Sequence, residues 1–154
     1  MPTLQRSAAL FALTGVLSLA LPGASAADDD EDDQPAPGGW IESVRAELKR
    51  NDYQAALEKL RAANDTGSAD WNNLMGYSLR KMSPPNLGRA ELHYQAALKI
   101  ESQHKGALEY YGELKLMQKD KAGAQAMLER LIGAGCRPGC EQHDDLAKAI
   151  AAYR

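Results

Sequence analysis

Three segments of this chain fall into phase at a step of 34 residues, and that step limits what the chain can fold into more than any single residue does. Ala56, Ala90 and Ala124 share one position. Leu60, Tyr94 and Leu128 share the next, and Ala63, Ala97 and Leu131 a third. Spacings of four and then three residues place each trio on one face of a helix. That face has to be covered. A 34-residue step with this pattern is the mark of helix-turn-helix units that stack, each covering the apolar face of its neighbour. The reading is therefore all-α: about three helix-turn-helix units stacked into an α-solenoid.

The first 26 of the 154 residues read as a secretory signal. Arg6 supplies a positive start, and Ala8 to Leu21 is an apolar run too short for a membrane anchor. Pro22 and Gly23 end it, and Ala24-Ser25-Ala26 offers small residues for cleavage before Ala27. No cysteine follows the cleavage point, so no membrane anchor is expected after signal cleavage. Cleavage removes Arg6 and no acidic residue, taking the net charge from −3 to −4, which excludes nucleic acid as a partner on bulk charge. Residues 27–39 carry the acidic run Asp28 to Asp33 and a Pro/Gly segment, and read as a disordered acidic linker. The run lacks the alternating spacing and turn glycine of a calcium loop.

From Trp40 onward the apolar period is helical. Trp40, Val44 and Leu48 mark a first helix, Asn51-Asp52 a break, and Tyr53 the start of a second. Asp65 to Ser68 precede a third helix, which ends near Met82 because Ser83-Pro84-Pro85 cannot continue it. Leu87 to Ile100, Gln103 to Gln118 and Lys121 to Ile132 complete a repeat region over residues 40–132. Residues 133–154 form a cysteine-containing link and a capping helix from Glu141 to Tyr153.

These residues resemble the tetratricopeptide repeat (TPR) family. Its unit is a helix pair with a Leu-Gly pair and an aromatic in the first helix and small, large, small in the second. Gly76 and Gly112 match the glycine position, preceded by Met75 and Tyr111, with Leu79 at the aromatic position. Val44 replaces the first glycine, Lys115 the third aromatic, and Ser102 the unit-ending proline. The stretches His93 to Leu98 and His104 to Leu114 are similar to small exported members from Gram-negative bacteria. The family resemblance implies a right-handed α-solenoid of about three units plus a C-terminal capping helix, and the exported members imply a periplasmic location, a protein partner in the cell envelope, and no chemistry.

In such an array the first helix of each pair lines an inner groove. The resemblance places Arg45, Lys49, Asn73, Tyr77, Arg80, Lys81, Glu109, Glu113 and Leu116 there as the candidate partner-binding set. Asn73 beside Tyr77 suits an extended peptide backbone, and Arg80 with Lys81 suits an acidic side chain. Family members that grip chaperone C-termini need basic and asparagine side chains where the third unit has Gly106 and Tyr110, so that mode is not expected.

The remaining constellation is Cys136-Arg137-Pro138-Gly139-Cys140. In an exported chain it reads as a local disulfide closed over a tight turn. The alternative is a redox pair, or a copper or zinc site of Cys136, Cys140 and His143. His93 and His104 have no partner at ligand spacing and read as structural. No nucleophile elbow or phosphate loop is present, so neither an enzyme nor a cofactor is expected.

Overall fold

The computed structural model describes residues 38–154. The expected signal segment and nearly all of the acidic linker lie outside the described residues. Among the described residues there are seven helices and no strand: α1 (Trp40–Lys49), α2 (Tyr53–Ala63), α3 (Ala69–Lys81), α4 (Leu87–Ile100), α5 (Lys105–Met117), α6 (Lys121–Gly133) and α7 (Glu141–Ala152). The domain is all-α.

Side chains placed just ahead of each helix explain where most of them start. Asp52, Asn86 and Asp120 accept hydrogen bonds from the backbone N–H of Ala55, Arg89 and Gly123, at 3.0, 3.2 and 2.8 Å. Each such cap contributes about 1 kcal/mol. The three caps are themselves 34 residues apart, so the repeat carries punctuation as well as packing. Ser68 caps α3, and His104 caps α5 through Nδ1. Its Nε2 faces Asp70 at 3.2 Å, which places the His104 proton on Nε2.

Each helix packs on the next one along the chain, and α3 also meets α5 as α5 meets α7. The repeated positions lie on α2, α4 and α6. Ala56, Ala90 and Ala124 are completely buried, as are Leu60, Tyr94, Ala97 and Leu131. Ala63 and Leu128 are half-buried against the same core. Enclosing a leucine such as Leu60 contributes roughly 2 kcal/mol.

Two glycines permit close approach. A Cβ on Gly76 would sit 2.7 Å from the Tyr94 ring, so only glycine lets α3 lie this close to α4. At Gly112 the neighbour is Leu146 of α7, 2.6 Å from such a Cβ. Helix α7, rather than α6, thus supplies the large side chain that faces the second glycine.

The first helices do not keep the 34-residue step. Val44 precedes Ala56 by 12 residues and Gly112 precedes Ala124 by 12, but Gly76 precedes Ala90 by 14. Two extra residues are taken up between α3 and α4, where the Asn86 N–H donates back to the Leu79 carbonyl at 2.8 Å. The detour leaves α4 in phase with α2.

Candidate functional site

Alternate helices bound a cleft of about 440 Å³. Helix α1 contributes Arg45, Leu48 and Lys49; α3 contributes Asp70, Asn73, Leu74 and Tyr77. Helix α5 adds Gly106, Glu109 and Tyr110, with His104 at its start and Gln142 of α7 at one end. The spacing Asn73–Tyr77 and Gly106–Tyr110 is one helical turn, so each pair stands on one face. Gly106 leaves room for Asn73, whose Nδ2 would lie 3.1 Å from any Cβ there.

Of the candidate groove residues, Arg45, Lys49, Asn73, Tyr77 and Glu109 line this cleft. Arg80, expected to stand open, is 6% exposed. Its guanidinium lies 5.5 and 5.6 Å from the centroids of the Tyr77 and Tyr110 rings and pairs with Glu113 at 2.6 Å. Its Nε donates to the Tyr94 hydroxyl at 3.3 Å. Burial on α3 between two tyrosines and a carboxylate is why Arg80 does not present charge to a ligand, and Glu113 is occupied for the same reason. Lys81 lines a separate hollow with Tyr53 and Met82. Leu116 packs half-buried against the core.

Gly106 and Tyr110, placed at groove positions only to set aside the chaperone-gripping mode, do line the cleft, whereas Asp70, His104 and Gln142 were not assigned to it. The available signal was again the repeat, because Asp70 and His104 are 34 residues apart and meet side by side.

Two cleft groups stand out electrostatically. The Oδ1 of Asn73 is enclosed and has no hydrogen-bond partner among the described residues. Glu109 is 6% exposed, and the Arg80 charge near it is already engaged by Glu113. Burial, followed by repulsion from Glu113, Asp145 and Glu141, pushes the Glu109 carboxyl up to about 8. Tyr77 and Tyr110 pack at 4.8 Å between centroids, and burial raises both phenols.

At the far end, the sulfurs of Cys136 and Cys140 are at disulfide-bonding distance, with their Cα atoms 5.4 Å apart. The Gly139 backbone is left-handed, at φ +95°, and its N–H donates to both carboxylate oxygens of Asp144 at 3.2 and 3.0 Å. His143 is buried with Nδ1 2.8 Å from Asp144. In this form neither sulfur is a thiolate donor, so the alternative metal set of Cys136, Cys140 and His143 is not assembled. No cluster of three metal-binding side chains exists among the described residues.

No protein-family model matches the sequence, and no curated protein matches it either.

Proposed function

We propose that this chain is a non-enzymatic interaction module: a short TPR-like solenoid, exported to the periplasm, that holds an extended segment of an envelope protein in the cleft between α1, α3 and α5. The observation that carries this reading is the enclosed Asn73 Oδ1, a buried amide acceptor with no partner among the described residues, at the wall of a cleft of about 440 Å³. A buried unmade hydrogen bond costs on the order of 1–3 kcal/mol, and a bound backbone N–H would recover it. The solenoid reading draws support from the sequential packing of the helices, the α3–α5 and α5–α7 contacts, and the buried positions at 34-residue steps. Export rests on the sequence of residues 1–26 alone.

The test places a photocrosslinking amino acid at Lys49, which lines the cleft, and separately at exposed Lys99 on α4. Irradiated in the intact envelope, the Lys49 position is expected to give a discrete protein adduct that Lys99 does not. Identical adducts from both positions would count decisively against the cleft.

A further inference from the structure

We propose that the floor of this cleft recognises one basic side chain, lysine or arginine, on the extended segment it holds, with Glu109 as counter-ion and Tyr77 and Tyr110 sheathing the stem. The inference rests on the interaction-module reading and adds the chemistry of what is recognised. The sequence alone, through Arg80 and Lys81, pointed to the opposite charge.

Among the described residues, the buried cleft atom without a partner is an acceptor. Asn73 offers Oδ1 without a donor, and the Glu109 carboxylate, once ionised, has no ion-pair partner among the described residues, the Arg80 guanidinium being held by Glu113. A lysine ammonium brings three donors and no acceptor, and a guanidinium five, so either meets the deficit from one side. A neutral donor would meet the Asn73 acceptor but leave the Glu109 charge without a counter-ion, and an acidic side chain would meet neither. The half-buried tyrosines supply apolar ring surface against which a methylene stem can lie while its charged end reaches the carboxylate.

The surrounding charges favour a cation at Glu109. On its own helix Glu113 is acidic, and α7 brings Glu141 and Asp145. On α3 the Arg80 charge is held by Glu113, and Asp70 is turned to His104. On α4 the Glu91 carboxylate is taken by Lys115. Arg45 and Lys49 stand exposed on the opposite wall, where water screens them and where they set the charge of the rim. With the cleft empty, Glu109 is largely protonated near neutral pH, so a cation that binds must expel that proton. Affinity for a basic segment therefore rises with pH. With a carboxyl at about 8, the gain between pH 6 and pH 8 is on the order of 50-fold.

The experiment selects a random library of displayed heptapeptides on the immobilised full chain. The enriched peptides are then titrated calorimetrically at pH 6 and pH 8. Enriched sequences are expected to share a lysine or arginine at one position. Replacing it with norleucine is expected to weaken binding at pH 8 at least tenfold. Glu109→Gln is expected to abolish both the norleucine discrimination and the pH gain while the helical circular dichroism is unchanged. Because the norleucine comparison alters only the peptide, it holds whatever the variant does to folding. Peptides enriched without a basic position, or bound equally well with norleucine, overturn the inference and leave the interaction module standing. A library that yields no binder overturns both. Free cadaverine bound as tightly as the best peptide overturns the assignment to a peptide side chain.

Discussion

Glu91 and Glu109 sit on adjacent helices, α4 and α5, and their surroundings push them in opposite directions. Glu91 faces Lys115 at 2.8 Å, Gln118 at 2.7 Å and the Tyr111 hydroxyl at 2.8 Å, all donating to it. Hydrogen bonding from Lys115, then Gln118, holds its carboxyl down at about 2. Glu109, in the cleft, is buried with no ion pair among the described residues, and its carboxyl rises to about 8. The first is a clasp between α4 and α5; the second is an unmet demand. The contrast separates residues that hold the fold from a residue that the fold keeps available.

Tyr94 joins the two regions and is the place where the contrast breaks most completely. Its hydroxyl accepts from Arg80 beneath the cleft, and its ring stacks at 6.1 Å on Tyr111, which donates to Glu91. Tyr94→Ala should cost about 3–5 kcal/mol in urea denaturation and leave both glutamates with altered surroundings. Glu109→Gln sharpens the contrast in the other direction. Between the ordinary glutamate value of 4.5 and the folded value of about 8, the folded chain keeps a proton that the unfolded chain releases, so stability falls as pH rises through that window. The variant should flatten this fall and be more stable than the parent at pH 8 by on the order of 2 kcal/mol, read from denaturation midpoints across pH. For Glu91 the sign is reversed. Its contribution is complete above 4.5 and disappears as pH falls toward about 2. Glu91→Gln should therefore lose about 1–2 kcal/mol at pH 7 and show a shallower acid limb in thermal melts. Lys49→Ala, at the exposed cleft rim, should shift stability by no more than about 0.5 kcal/mol, and a larger loss would show that this wall is structural rather than open to a ligand.

How much of this was legible in sequence follows from where each signal is stored. The all-α class and the seven helices were readable because packing positions recur along the chain, as in Ala56, Ala90 and Ala124. Part of the cleft was readable because Asn73 and Tyr77 share a helix face. The state of Arg80 was not readable, since its partners Glu113 and Tyr94 lie on two other helices and the approach of Tyr94 depends on Gly76. Likewise, nothing local to Glu109 shows that it has no ion pair among the described residues, because Arg80 beside it is drawn away by Glu113. Gly112 was read as a helix-pair glycine, but its facing side chain, Leu146, comes from the end of the chain. Linear periodicity reports which residues are buried; it does not report which charges remain unpaired once helices distant in sequence have met.

The caps at Asp52, Asn86 and Asp120 have a consequence for how such a chain can change length. A segment running from Asn86 to Lys119 begins with its own start signal and ends just before the next one. Duplicating it in tandem would insert α4 and α5 again with a capping side chain at both joins and the buried alanine still in phase. Each such segment brings its own start signal with it, so a tandem copy would carry the cap that opens its first helix.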